Sequence, residues 1–203
     1  MSVTSGGAIT QTGAVDADLA SSFTAGANAI TLTNAGNDFT GAVSLSNSGT
    51  NDVSLTDVNA LDLGTVSVGQ NLTVTTGGAL TDSGAITVGS LATLVSTGQS
   101  VTLGDSTTAN FGSLDFAGAA VSIKEGSSME IAASEATGIL TLEASGAITQ
   151  TGAIDADLAS SFTAGANAIT LSNASNDFSG AVSLSNSGTN DVSLTDVNAL
   201  DLG

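Results

Sequence analysis

A stretch of 58 residues occurs twice in this chain with almost no change. Residues 7–64 recur at 146–203, an offset of 139, and differ only at Val15/Ile154, Thr33/Ser172, Gly36/Ser175 and Thr40/Ser179. Each exchange is conservative in size or polarity. A second, weaker repeat lies inside the first. Leu72 to Leu103 aligns without gaps to Leu140 to Leu171, an offset of 68, so the long unit divides into two diverged halves. Units that cannot bury an apolar face alone, set beside similar neighbours, must stack. The chain is therefore expected to be one continuous repeat structure over 1–203 rather than a set of globular domains.

A third period decides what is stacked. Apolar-polar-apolar triplets occur at Val53-Ser54-Leu55, Leu72-Thr73-Val74, Val101-Thr102-Leu103, Val121-Ser122-Ile123 and Leu140-Thr141-Leu142, spaced by 19, 29, 20 and 19 residues. Strict alternation over short runs, bounded by Gly, Asn and Asp, indicates strands and turns rather than helix. The fold class is all-β: a right-handed parallel β-solenoid with three short strands per coil, the hand following the rule for parallel crossovers. Coils of about 19–23 residues give about nine or ten coils and a length of about 45 Å. The 29-residue step predicts an enlarged loop or an extra corner. In one coil the strands are Val53-Ser54-Leu55, Leu61-Asp62-Leu63 and Val66-Ser67-Val68, the outer residues of each triplet pointing inward and the middle one outward. Met1 falls in register with Leu140, and Gly203 stops where the first copy runs on into Thr65. Continuation of the chain is expected at both ends.

Composition narrows the function. The chain has 203 residues, a net charge of −18, one basic side chain (Lys124) and no Cys, His, Pro, Trp or Tyr. Nucleic-acid binding needs basic residues to displace phosphate counterions, so no nucleic-acid partner is expected. Anionic membrane surfaces are excluded by the same reasoning, and no apolar run approaches the roughly 20 residues of a membrane helix. Without His or Cys there is no Ser–His–Asp or Cys–His nucleophile. The carboxylate pairs Asp16/Asp18, Asp155/Asp157 and Asp57/Asp62 meet the minimum for glycoside hydrolysis. A single Lys cannot clamp a uronate-rich polysaccharide, however, and no enzyme is expected.

Several phrases, GAITQTGA, NDFTGAVSLSNSGTNDVSL, TDVNALDLG and GQNLTVTTGGALTDSGAITVG, resemble repeats of giant bacterial filamentous-haemagglutinin-like proteins, many of them exported by two-partner secretion or autotransport. The likeness extends over nearly the whole chain. It implies a β-helical shaft on the cell surface of a Gram-negative bacterium or outside it, serving adhesion, cell–cell contact or biofilm. Partners implied are the chain itself or neighbouring repeats of its parent, and a host or neighbouring cell. End-to-end stacking into a homopolymeric extracellular fibre is the alternative.

Two ligand readings remain. Oxygen ligands for calcium are offered by Asp16, Asp18, Asp155 and Asp157, and by Asn37-Asp38, Asn51-Asp52 and Asp57-Val58-Asn59 with their copies. No EF-hand loop or glycine-rich calcium nonapeptide accompanies them, and Asn and Asp at corners are expected for turn geometry alone. No other cofactor is implied. Outward hydroxyl pairs (Thr31/Thr33, Ser44/Ser46, Ser54/Thr56, Thr73/Thr75) suit a flat ice-binding face, or simply the polar side of a strand. Phe23/Phe162 and Phe39/Phe178 are expected to fill the core or its corners. Lys124 and Glu125 read as a solvated turn.

Overall fold

A computed structural model describes all 203 residues. The molecule is built from 25 strands, no helix and turns between them. Every strand pairing is parallel to strands of the coils before and after it, as in Val53–Asp57 against Leu72–Thr76 and Leu140–Ala144 against Ser160–Thr163. The chain thus winds as a β-solenoid of about ten coils. The stacking is traced by Ser21↔Val43 and by Leu61↔Leu80↔Val101↔Val121↔Leu140↔Ser160↔Val182.

Alternation in the sequence becomes the wall of this coil. In Leu72–Thr76 and Val121–Glu125 buried and exposed residues alternate without a break. The inward positions read from the triplets, Val53, Leu55, Leu61, Leu63, Val66 and Val68, are all buried, and they belong to a single hydrophobic core of 44 residues. Two pairs of phenylalanines add the bulkiest side chains to that core. Phe23 meets Phe39, and Phe162 meets Phe178, edge to face at 5.9 Å between ring centres. The rings come from two sides of one coil, so they pack across the coil rather than along the axis.

Two expectations about the coil need correction. Leu61-Asp62-Leu63 and Val66-Ser67-Val68 are not separate strands but one, Leu61–Val68, which bends through buried Gly64. The register against Val43–Ser46 slips at this bend, with Val43↔Leu63 followed by Leu45↔Val66. The 29-residue step contains no enlarged loop. Leu72-Thr73-Val74 stacks on Ala92-Thr93-Leu94, whereas Val101-Thr102 stacks on Leu80-Thr81, a different side of the coil. Alanine at position 92 hid the triplet that continues the first column. The half-unit repeat behaves accordingly: Leu72 lies in the ladder of Val53, Leu140 in the ladder of Val121. Sixty-eight residues therefore return the sequence to the next side rather than the same one.

Coil length is not uniform. The steps Ile86↔Ala109 and Ala109↔Glu125 are 23 and 16 residues, and they follow one another directly. The extra residues form the loop 104–108, which the next coil lacks.

Val53 is wholly buried, and its strand is paired on both faces. Val53→Asp would place an uncompensated charge between coils and cost more than about 3 kcal/mol. Hydrogen exchange is expected to show lost protection spreading to Ile30–Leu32 and Leu72–Thr76; loss confined to residue 53 would contradict a continuous core.

Candidate functional site

Most of the polar residues buried in this structure hydrogen-bond to backbone groups of their own or a neighbouring coil. Asn37 is fully buried. Its amide donates to Leu32 O and Thr56 O, and its carbonyl oxygen accepts from Val15 N at 2.9 Å. Reciprocal bonds of 2.7 and 3.0 Å join it to the Gln11 side chain. One side chain thereby clasps three successive coils. Asn176 repeats the arrangement with Gln150, Ile154, Leu171 and Thr195. Asn47 bonds Asn28 O and Asn51 O, and Asn51 bonds Ala27 O. The corner role of these asparagines is thus explicit, and the hydrogen-bonding capacity of Asn37 and Asn176 is fully used.

Three carboxylates, those of Asp57, Asp82 and Glu125, are buried, and sequence reasoning placed none of them in the core. Asp57 Oδ1 accepts from Phe39 N at 2.8 Å, where the third side of the following coil has no strand to supply a carbonyl. Asp196, the copy of Asp57, serves Phe178 N in the same way. Asp82 accepts from Gly104 N at 2.9 Å and from the Thr107 hydroxyl. Glu125 Oε1 accepts from Phe111 N at 3.0 Å and from Ser127 Oγ at 2.8 Å. Glu125 therefore corrects the reading of a solvated turn: it ends the strand Val121–Glu125 and is 1% exposed. Only Lys124 faces water there, forming an ion pair of 2.9 Å with Glu143 one coil away. A usable signal existed, since the alternation Val121, Ile123 puts residue 125 inward.

The four calcium candidates lie on the outside. Asp16, Asp18, Asp155 and Asp157 are exposed. Stacking sets Asp16 opposite Asp38, and Glu135, Asp155 and Asp177 in one column on consecutive coils. No three acidic side chains converge closely enough to hold a metal ion. Asn59 donates to Asp38 at 2.8 Å, and Asn198 donates to Asp177, so each column ends on an amide. Asp57 and Asp62, the third carboxylate pair, face opposite ways, Asp57 into the core and Asp62 outward to the Ser83 hydroxyl. The outward hydroxyls also fall in register: Thr10, Thr31, Ser54, Thr73 and Thr93 form one column, interrupted by Asp115.

One concave site interrupts the wall, a cleft of about 220 Å³ lined by Gly104, Thr107, Thr108, Ala109, Lys124, Glu125, Gly126 and Ser145. It sits where the wide coil overhangs the narrow one. Gly104 makes the overhang possible: its φ is +77°, and a Cβ there would lie 1.9 Å from Lys124 O.

Stacked parallel coils, one axial core and corner-bonding side chains define a β-solenoid repeat protein. The chain belongs to a family described as repeats of unknown function (DUF5649), whose model matches residues 1–46, 50–116 and 118–185. The second and third matches start 68 residues apart, the same interval as the internal half-unit. No curated protein and no solved structure matches the chain.

Asn37→Ala would strand buried partners in three coils and cost about 3 kcal/mol; Asn51→Ala, at a half-buried corner, would cost less than about 1 kcal/mol. Denaturant titration distinguishes the two, and equal costs would refute the clasp. Burial pushes the carboxyls of Asp57, Asp115 and Glu125 above their ordinary range. Asp155 is raised by burial and then by Asp177 and Asp157. Folded protein then binds more protons than unfolded chain between the ordinary and the raised values, so stability falls as pH rises through that window. The melting temperature, followed by circular dichroism, is expected to increase as the pH is lowered from neutral toward the ordinary carboxylate range; a decrease would oppose this assignment.

Proposed function

We propose that this chain is a structural segment, without enzymatic activity, of the shaft of a bacterial extracellular surface protein. The observation that carries the proposal is the uninterrupted stack itself. One core runs through the coils, backbone ladders join each coil to the next, and a long unit is repeated almost unchanged. Such a construction turns sequence length into reach, because every coil adds about 4.8 Å along the axis. The polar outer wall, strongly acidic and with one basic side chain, keeps a long rod soluble and repels like rods. In this reading adhesion, cell–cell contact or matrix formation depends on what the shaft holds apart, and the coils themselves have no reaction to perform. The resemblance of the repeat phrases to filamentous-haemagglutinin-like proteins favours the same role.

A second reading is end-to-end assembly of separate chains into a fibre. It is favoured by the way the coils are held, since each pairs its backbone edge to edge with the next, a pairing that a coil of another chain would supply in the same way.

Electron microscopy of the purified chain separates the two. Short monodisperse rods are the outcome expected for a shaft segment, whereas long fibres would replace that reading by assembly. Compact globular particles would defeat both.

A further inference from the structure

The step from the wide coil to the narrow one closes over a buried acid. Glu125 is 1% exposed and ends the strand Val121–Glu125. Its Oε1 bonds Phe111 N at 3.0 Å and Ser127 Oγ at 2.8 Å, whereas Oε2 is enclosed and has no hydrogen-bond partner. Before and after it in the stacking column stand Ala109 and Ala144, which offer a charge nothing. No cation faces the carboxyl from the elements packed against it. Lys124 points outward to Glu143 on the strand Leu140–Ala144. The strand Val101–Leu103 has no titratable group, the strand Ala109–Gly118 has only Asp115, and loop 104–108 has only Asp105. Glu130, beyond the next turn, is exposed. Asp82, which holds the loop through Gly104 N and Thr107, is one more acid.

An enclosed oxygen with neither cation nor donor penalises the charged form of the carboxyl. The neutral acid fits the same space. Its Oε1–H donates to Ser127 Oγ, the Ser127 hydroxyl turns to Ser128 O at 3.4 Å, and Oε1 still accepts from Phe111 N. Oε2 is then a carbonyl oxygen, for which a missing partner costs less than for an anion. Burial accordingly holds the proton on Glu125 above the ordinary carboxylate range. We infer that Glu125 makes this step in the stack a proton-controlled joint, closed and bonded to Phe111 N while the carboxyl is neutral, and opened at loop 104–108 when it ionises. Water reaches the ionised Oε2 only if the side chain releases Phe111 N or the loop lifts off the narrow coil. The loop's side-chain hold on the stack is small: Gly104 N and Thr107 on Asp82, and Thr107 on Gly84 O. The closed joint binds the proton more tightly than the open one. Closure is therefore fully stabilised below the ordinary carboxylate range and is lost as pH rises through the raised value of the closed joint. Residue 125 lies outside both copies of the 58-residue repeat, so the joint is not duplicated with them. It stands whether or not the chain is a shaft.

Amide hydrogen exchange and the side-chain carboxyl ¹³C shift of Glu125, followed against pH on the whole chain, test the joint. The carboxyl should titrate above the ordinary range. Protection of Phe111 and Gly126, corrected for the intrinsic exchange rate, should fall by up to about tenfold per pH unit as the pH rises through that window. Val53, remote from the joint and bonded to Asn71 O, should lose less. Glu125→Gln keeps an oxygen for Phe111 N and cannot ionise, so it should abolish the dependence at Phe111. Asp57→Asn, which neutralises a different buried acid, should leave it. If Glu125→Gln does not fold, the carboxyl titration of the parent chain decides. A Glu125 carboxyl that titrates in the ordinary range, no loss of protection at Phe111, a loss that survives Glu125→Gln, or equal losses at Phe111 and Val53 would overturn the joint.

Discussion

Each coil of this molecule holds its shape only because the next coil answers its backbone. Strand N–H and C=O groups have no partner within their own coil, and an unpaired buried group costs about as much as a lost hydrogen bond. The ladder therefore demands that consecutive coils have nearly equal perimeters and the same corners. Burial follows from that demand: once the strands are in register, alternate residues enter one axial core whether or not any single coil is apolar enough to fold alone.

Where the perimeters differ, side chains substitute for missing backbone. Asp57 and Asp196 stand in for a strand that the third side lacks, Glu125 serves Phe111 N at the narrow coil, and Asp82 ties down the loop of the wide one. Asn37 and Asn176 do the same for corners on three coils at once. These residues carry the most charge or polarity in the core, yet they follow the same rule as the aliphatics, placing an acceptor or donor at the stacking distance. The raised carboxyl of Glu125 and the cleft beside it are consequences of one coil being shorter than its neighbour.

Much of this was legible in the sequence because stacking leaves a periodic trace. The triplets at Val53, Leu72, Val101, Val121 and Leu140 marked the strands, the coil length and the inward residues. The side of the coil was harder to read. Ala92 fills an inward place that Leu or Val fills elsewhere, so the column from Leu72 vanished and Val101 was matched to it instead. Asp57, Asp82 and Glu125 escaped for a related reason. Acidic residues beside Gly and Asn look like solvated turns, and only the partner N–H, 14 to 22 residues away, shows why they are inside. The acidic pairs could be picked out by eye along the chain, but their axial alignment, as in Glu135, Asp155 and Asp177, needs the register.

The register of the stack is open to a direct chemical measurement, since the chain contains no native cysteine. Thr73 lies opposite Thr93 on the adjacent coil, within the Cα separation that a disulfide spans. Thr102 pairs instead with Thr81 and Ser122. Under mild oxidation the double variant Thr73→Cys/Thr93→Cys should cross-link within the monomer and raise the melting temperature, and Thr73→Cys/Thr102→Cys should remain reduced. Cross-linking of the second pair and not the first would contradict the stacking on which the whole structure rests.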